Sequence, residues 1–311
     1  PNYKYEGYAV YTNTLNTGGF RGHSTVPDHF PMESHMSRVA EELGMDPIEF
    51  RMKNRRKTGD MNPYTKVPTI ATGFDECMLA GAERIGWRRR RKAGEAEGVK
   101  KRGIGMSAMV HHAPGLVSPE AGITTYGARS SANIEICPDG TVTLEVGTVD
   151  IGQGSDTAYA MIAAEELGVH YEDVTVALRD TESIPWGSGA GSSSGLMKTG
   201  GAVREAAAKA KRQLFEIASK LLGAPAEDLV ARDRRIFVRG KPEKGIAIAD
   251  VVRTGASTEN PHIFDGKGVY DVSKYVAPWG SQFVEVEVDT ETGQVKLLRV
   301  VCAHDVGRVI N

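Results

Sequence analysis

Two glycine-rich segments place residues that could bind an anion at the start of a helix. The first, D-I-G-Q-G-S at residues 150–155, joins a strand-like run to a helical run that opens at Ser155. The N–H groups at a helix amino end are free and lie at the positive end of the helix dipole, so they bind phosphate and other anions. A tight turn without a ligand has the same composition, and the spacing alone favours that simpler interpretation.

The second segment is W-G-S-G-A-G-S-S-S-G at residues 186–195, and a long helical run follows it. Consecutive small residues with exposed N–H and hydroxyl groups can form an anion-binding concavity. A flexible linker has a similar composition. Because a strand-like run lies just upstream and a helix just downstream, the anion-binding loop is the favoured interpretation here.

An arginine between glycines offers a third set of donors. Arg21 lies within G-G-F-R-G at residues 18–22. From a crowded backbone position its planar guanidinium can bind a phosphate or a carbonyl group. Taken alone, a surface arginine in a turn is the simpler interpretation.

Two other binding chemistries have weaker support. A nicotinamide dinucleotide site requires G-x-G-x-x-G, but the third position is Thr157. The strand before this turn is also predicted to belong to a hairpin rather than to a strand–helix–strand unit. The basic run at residues 88–92 could contact nucleic acid, but it has no interleaved aromatic residues, which favours a solvent-exposed connection.

Composition and charge limit the class of protein. The 311 residues include 38 basic and 40 acidic side chains, and 40% of them are hydrophobic. Such a chain is ordinary for a globular protein of about two domains at roughly 150 residues each. No apolar run approaches the ~18 residues of a membrane helix, and a net charge of -2 argues against a nucleic-acid partner. Three separated cysteines cannot form a disulfide framework or hold an iron–sulfur cluster, so a cytoplasmic protein is predicted.

The elements that must position these residues predict an α+β fold. Apolar spacing and terminal glycines predict helices at residues 32–43, 74–85, 155–167 and 202–222, and one that opens at Pro47. Alternating runs predict two hairpins, 132–137 with 141–146 and 283–288 with 295–301. Helices and hairpins interleave without regular alternation, which favours mixed sheets with packed helices over a doubly wound fold. We expect two domains, residues 1–72 and 73–311.

Taken in order, five motifs resemble the molybdenum-binding large subunit of the xanthine dehydrogenase family, the molybdenum hydroxylases. The similar segments are G-F-R-G at residues 19–22, the helical run at 32–54, D-I-G-Q-G at 150–154, the serine- and threonine-rich 192–194 with 198–202, and H-D-V-G-R-V-I-N at 304–311. The resemblance runs along nearly the whole chain. The resemblance implies a molybdenum-cofactor-binding fold of the α+β type.

The resemblance also implies roles for particular residues. Arg21 and Gln153 are the expected catalytic residues, which would orient the ligands of the metal and the substrate. The expected cofactor contacts are Phe20, Arg21, Gly22, Gly152, Gln153, Gly154, Ser192, Ser193, Ser194, Thr199 and Gly200. No side chain is expected to ligate molybdenum directly, because the pterin holds it. The family's general-base glutamate is absent from this chain, so we expect half of a cofactor pocket and no activity of the chain alone.

The cofactor implied by the resemblance is molybdopterin with molybdenum, expected as the cytosine dinucleotide. Iron–sulfur clusters and FAD are expected on partner subunits, together with the remaining segments of the molybdenum subunit. The implied reaction oxidises or reduces an aromatic, heterocyclic or aldehyde carbon of a small molecule, and residues 152–157 and 196–200 are slightly more similar to the hydroxybenzoyl-CoA reductase branch. The alternatives are a non-catalytic assembly module and, with less support, a nicotinamide-dependent dehydrogenase.

Overall fold

The computed structural model describes most of the chain. The described residues are 4, 6–15, 22, 25–62, 66–90, 98–111, 129–177, 180–187, 189–191, 193–256, 264–272 and 277–310. The chain divides into two compact units, residues 1–47 and residues 48–311. Within the described ranges, none of the helices is long and apolar enough to cross a membrane.

Helices and strands interleave along the chain. The helices are α1 (Thr25–Glu42), α2 (Pro47–Asn54), α3 (Phe74–Ile85), α4 (Ser155–Leu167), α5 (Gly195–Leu222) and α6 (Ile248–Ala256). The strands are β1 (Lys100–Val110), β2 (Arg129–Ile136), β3 (Val142–Val146), β4 (Val174–Val176), β5 (Leu229–Arg232), β6 (Arg235–Val238), β7 (Lys241–Ala247), β8 (Asp265–Asp271), β9 (Trp279–Asp289) and β10 (Val295–Asp305). Among the described residues the strands form three sheets, one of them mixed, and the predicted α+β class is confirmed.

Glycines end the helices where the sequence predicts. Helices α3 and α4 have the predicted bounds, and Gly86 and Gly168 follow them with φ of 82° and 75°. Because glycine has no Cβ, it adopts this left-handed conformation without strain. Helix α1 begins at Thr25 rather than at residue 32, so it continues through Pro31. Proline is unfavourable in a helix interior, which is why the sequence alone predicts a start after it.

Helix α5 begins at Gly195 rather than at the predicted residue 202. Three glycines in this stretch lower its helix propensity, which is why the sequence alone predicts a loop. Packing overrides that preference. A Cβ added at Gly200 would lie 2.9 Å from Cδ1 of Ile162, and one added at Gly201 would lie 2.5 Å from the ring of Tyr270. The glycines therefore let α5 approach α4 and β8 closely.

The four-stranded sheet has the order β4-β3-β2-β8. Strand β3 pairs antiparallel with β2 and parallel with β4. The predicted hairpin of β2 and β3 is confirmed, but the prediction that β3 belongs to no strand–helix–strand unit is wrong, because β3, α4 and β4 form such a unit as well. Strand β4 (Val174–Val176) lies in the strand-like run that the sequence predicts upstream of the second segment, but its parallel pairing with β3 depends on tertiary contacts that the pattern does not specify.

The largest hydrophobic core lies between this sheet and helices α4 and α5. Its closest contact joins α5 to β8. A Cβ added at Gly266 would lie 2.0 Å from the carbonyl oxygen of Ala206, and one added at Gly268 would lie 1.9 Å from that of Ala202. The backbone of the helix lies directly on the strand, so only glycine fits at these two strand positions.

The second sheet, in the order β1-β9-β10, packs one face against α3. Phe283 of β9 is fully buried there, and a Cβ added at Gly81 of α3 would lie 2.4 Å from its ring. The ring of Trp87 meets Phe283 edge-on, with 5.6 Å between centroids. Strands β5, β6 and β7 form the third sheet, which is antiparallel.

Gly268→Ala tests the contact between the backbones of α5 and β8. The added Cβ would overlap the carbonyl of Ala202, so helix and strand must separate, and we expect the free energy of unfolding to fall by about 3 kcal/mol. Gly103→Ala on β1 is the matched control, because an added Cβ there meets no described atom within 4 Å. Its expected effect is below about 1 kcal/mol. Urea unfolding, followed by far-ultraviolet circular dichroism, measures the free energy of unfolding of both variants. Equal losses in the two variants would contradict a close contact between the backbones of α5 and β8.

Candidate functional site

The turn before α4 leaves its backbone open to a ligand. Gly152 and Gly154 have φ of 100° and 76°, and a Cβ added at either meets no described atom within 4 Å. Residues with a Cβ rarely adopt this left-handed backbone conformation, so the turn requires glycine at both positions. The same glycines leave space for a flat ligand to approach the peptide groups directly.

The carboxylate of Asp150 caps the start of α4. Its Oδ1 accepts hydrogen bonds from the N–H of Gly152 at 2.7 Å and of Gly154 at 3.4 Å, and its Oδ2 accepts one from the N–H of Asp156 at 3.2 Å. These bonds, that from Gly152 above all, lower the pKa of Asp150. Donors that the sequence predicts to bind an anion are therefore already bound by a carboxylate. This helix end carries a negative charge.

Gln153 lies exposed over the same turn. Its Oε1 accepts a hydrogen bond from the N–H of Ile151 at 2.7 Å, and its Nε2 donates to Oγ of Ser155 at 3.0 Å. Nε2 also lies 3.4 Å from the carbonyl oxygen of Val149. The amide is held across the turn and offers an uncharged donor and acceptor to a ligand that replaces these contacts.

Tyr159 of α4 lies between Thr148, two residues before the first glycine-rich segment, and Gly195, the last residue of the second. Its hydroxyl accepts a hydrogen bond from Thr148, at the end of β3, at 3.4 Å. A Cβ added at Gly195, the first residue of α5, would lie 3.2 Å from the same hydroxyl. At Gly147 an added Cβ would lie 2.3 Å from the carbonyl oxygen of Pro185, so the loop before α5 packs on the end of β3. The starts of α4 and α5 thus share one edge of the second unit.

The serine residues before α5 have different environments. Ser193 is exposed and has a φ of 55°, which is strained for a residue with a Cβ. Ser194 is fully buried, and its Oγ donates to the carbonyl oxygen of Gly191 at 2.7 Å. Ser193 can therefore face a ligand directly, whereas Ser194 fixes the loop.

Two predicted cofactor contacts lie inside the protein. Thr199 is fully buried, and its hydroxyl forms a 2.9 Å hydrogen bond with that of Ser130 on β2. Gly200 is buried against Ile162. The structure gives both residues a packing role, and their contact with a cofactor stays a prediction.

Three predicted residues, Phe20, Arg21 and Ser192, lie outside the described residues. Gly22 belongs to the first unit, where it has a φ of 79° and its carbonyl oxygen accepts a 3.1 Å hydrogen bond from the N–H of Thr25. Within the second unit, the structure places residues 152–154 directly before α4 and residues 193–194 directly before α5. Roles for the others stay predictions.

Lys198 and Asp150 are residues to which the sequence analysis assigned no role. Lys198 lies in the first turn of α5 with only 3% of its surface exposed, and burial lowers the pKa of its amine. A lone lysine within a run of small residues at a helix start was the signal for it. For Asp150 the signal was an aspartate two residues before a glycine, the pattern of an Asx turn. Across the described part of the chain, no group of three or more His, Cys, Asp or Glu side chains is placed to hold a metal ion.

Comparison with protein families identifies the chain. A family model described as molybdopterin cofactor-binding domain matches residues 80–311, and a second model with this description matches residues 1–55. The chain belongs to the molybdopterin cofactor-binding domain family. The resemblance drawn from the five motifs is confirmed.

Known relatives of this molybdopterin-binding chain are considerably longer. It is 28% identical to the xanthine dehydrogenase molybdenum-binding subunit of Escherichia coli O157:H7, over 99% of this chain and 41% of the relative. It is 28% identical to the carbon monoxide dehydrogenase large chain of Afipia carboxidovorans, over 97% of this chain and 39% of the relative. Quinoline 2-oxidoreductase from Pseudomonas putida 86 has a similar structure, with a TM-score of 0.76 and 26% identity over 94% of this chain and 38% of that one.

Asp150→Asn tests the cap of this molybdopterin-binding chain. Because the pKa of Asp150 is lower in the folded protein than its ordinary value of 3.8, the carboxylate stabilises the fold above that pH, and this contribution is lost as the pH falls through the folded pKa. We expect the variant to be less stable than the parent at about pH 7 and the difference to shrink at about pH 3.

Urea unfolding at both pH values measures the difference, with Glu227→Gln, an exposed carboxylate far along the chain, as the charge control. A difference between Asp150→Asn and the parent that does not change with pH would show that the carboxylate charge has no part in the cap.

Proposed function

We propose that this chain is part of the molybdenum-cofactor-binding portion of a multi-subunit oxidoreductase. The observation that carries the proposal is the family match over residues 80–311, the region that contains both glycine-rich segments. The complete enzyme would oxidise or reduce an aromatic, heterocyclic or aldehyde carbon, with electrons passed through iron–sulfur centres in partner chains. When bound, the cofactor supplies a metal centre for two-electron redox chemistry.

The open backbone of the two segments fits a flat, polar cofactor. Added Cβ atoms at Gly152, Gly154, Gly189 and Gly191 meet no described atom within 4 Å, so peptide groups are accessible at all four positions. The amide of Gln153 is uncharged and offers both a donor and an acceptor, as the edge of a pterin does. Gln153 and the turn around it would therefore bind the pterin part.

The starts of α4 and α5 differ in charge, and this difference indicates where the phosphate groups of the cofactor would lie. The Asp150 carboxylate repels phosphate at the start of α4, where it already accepts the free N–H groups. The start of α5 differs, because among the described residues no acidic side chain lies in its first turn and none caps it, so the positive end of the helix dipole is not neutralised there. We therefore propose that phosphate groups lie near Ser192, Ser193 and Ser194. Cofactor contacts by Phe20, Arg21 and Gly22 are a separate proposal, which the resemblance to the family supports.

Several finer assignments are part of the same proposal. The relatives' names, molybdenum-binding subunit and large chain, support an assembly of several subunits. We propose the cytosine dinucleotide form of the cofactor, iron–sulfur and FAD subunits as partners, and a cytoplasmic location. The proposed domains are residues 1–72 and 73–311.

A non-catalytic assembly module is the competing proposal. The capping of α4 by Asp150 favours it, because that carboxylate occupies donors that a cofactor phosphate would use. Molybdenum analysis, combined with pterin fluorescence after acid oxidation, separates the two on protein purified from its native host with its partners. Near-stoichiometric molybdenum and pterin are expected, and the absence of both from an intact complex would favour the assembly module.

Gln153→Ala tests the assigned pterin contact within that complex. Each lost hydrogen bond weakens binding by about 0.5–1.5 kcal/mol, so we expect the cofactor to be held about tenfold more weakly. The measurement is the pterin content that the complex retains after extended dilution. Gln294→Ala is the control, because Gln294 is an exposed glutamine in the turn between β9 and β10. Equal pterin retention by the two variants would exclude Gln153 from the cofactor site.

A further inference from the structure

The two larger sheets of the second unit differ in the faces that they turn away from their helices. In the four-stranded sheet the outer face carries polar side chains, and Asn133 of β2 donates to Glu145 of β3 across it at 2.9 Å. Such alternation is typical of an antiparallel sheet with one face in water. In the three-stranded sheet, β9 places Val284, Val286 and Val288 on the side opposite Phe283.

The apolar middle of this second face, which we call the open face, spans three strands. Lys101 lies at one end of it, and Ser107, Gln282 and His304 lie at the other. The open face is formed by Gly103 and Gly105 of β1, Val284, Val286 and Val288 of β9, and Val295, Leu297, Val300 and Cys302 of β10. Val295, Leu297 and Val300 are 63%, 66% and 56% exposed within this chain. An apolar face of this kind is typical of a surface that another element covers.

The glycines of the open face indicate what covers it. Gly103 lies opposite Val286 and Gly105 lies opposite Val284, and a Cβ added at either meets no described atom within 4 Å. Neither has a left-handed φ, so the described structure does not require glycine at these positions. Glycine weakens a strand interior, and it occurs where another backbone approaches closely.

The chain contains the same arrangement with its partner in place. On β8 two glycines with the same spacing, Gly266 and Gly268, receive the backbone of α5, with Ala202 and Ala206 at the contact. The pair on β1 has the glycines and the neighbouring apolar residues, while no described element lies over them. A helix with small residues at the contact would fit there as α5 fits on β8.

We propose that the open face binds a helix from a part of the molybdenum-subunit polypeptide that lies outside these 311 residues. The relatives support this source, because the chain spans only 39% to 41% of their length and most of such a polypeptide lies outside the match. The helix would place small residues on Gly103 and Gly105 and apolar residues on the valines and Leu297. This inference rests on the proposed function in one respect, that the chain works within a longer molybdenum subunit.

The thiol of Cys302 is a native probe for the covering helix. It is exposed in this chain and lies on the open face. In the assembly purified from the native host, we expect maleimide to label it at least about tenfold more slowly than a cysteine introduced by Glu227→Cys at an exposed position. Buried Cys77 should stay unlabelled, which verifies that the protein is folded. Labelling of Cys302 at the rate of the introduced cysteine would overturn the proposal.

A short photo-reactive crosslinker attached to Cys302 identifies the occupant by mass spectrometry. The expected crosslinked peptide comes from outside the 311 residues and is rich in alanine, glycine or serine. A peptide from within residues 1–311, from the same chain or from a second copy, would overturn the proposal. Molybdenum content is measured on the same preparation, so failure of the proposed function is seen separately from failure at the open face.

Enlarging the two glycines tests the close approach. The double variant Gly103→Leu, Gly105→Leu has open space around both positions in this chain but would clash with a packed helix, so we expect at least about tenfold lower recovery of the assembly. Thr175→Leu, at an exposed position on the edge strand β4, is the matched control and should assemble normally. Leu297→Asp gives a second measurement without enlarging a glycine, and its expected result is the same loss. Normal recovery of both open-face variants would overturn the proposal.

Discussion

The contact between the backbones of α5 and β8 determines where the candidate site lies. Gly266 lies directly under Ala206, and Gly268 lies directly under Ala202. These two contacts fix the distance of the helix from the sheet and its direction across the strands. Close packing of this kind transmits small changes in position, because protein interiors have little free volume. The start of α5 is thereby fixed beside Tyr159, which in turn contacts the end of β3. The two glycine-rich segments are loops, but their positions depend on a buried contact some turns away.

The electrostatics of the site follow from which residue accepts the free N–H groups of each helix. At α4 the carboxylate of Asp150 accepts them, and its lowered pKa keeps it charged at neutral pH. At α5 the side chain of Ser194 donates to the preceding loop, and a lysine lies buried in the first turn. Two helix starts that are both rich in glycine therefore differ in charge. The proposed placement of the pterin at one segment and of the phosphate groups at the other rests on this difference.

Features with local causes could be predicted from the sequence. The ends of α3 and α4 follow from single glycines, and the hairpin of β2 and β3 follows from alternation around a turn at Gly140, whose φ is 88°. Features with distant causes could not be predicted. The first turns of α5 are helical because Gly201 packs on Tyr270, which lies far along the chain. Within the site, the family motif predicted the turn at residues 152–154. The cap from Asp150 depends on backbone geometry that no motif specifies.

The two faces of strand β9 carry different residues and lie in different environments. Its alternation of valine and glutamate, read alone, predicts that the valines are buried and the glutamates face water. The structure instead packs Phe283 and Ser281, on the glutamate side, against α3. Glu285 and Glu287 follow Phe283 on the same face of β9. Glu285 accepts a hydrogen bond from Nε of Arg299 at 2.8 Å, and Glu287 accepts one from Nε of Arg102 at 2.8 Å. On the opposite face, the valines are the residues that the proposed helix would bury. Gly103 and Gly105 on the neighbouring strand fit the same proposal, since a covering backbone needs the space that their missing side chains leave.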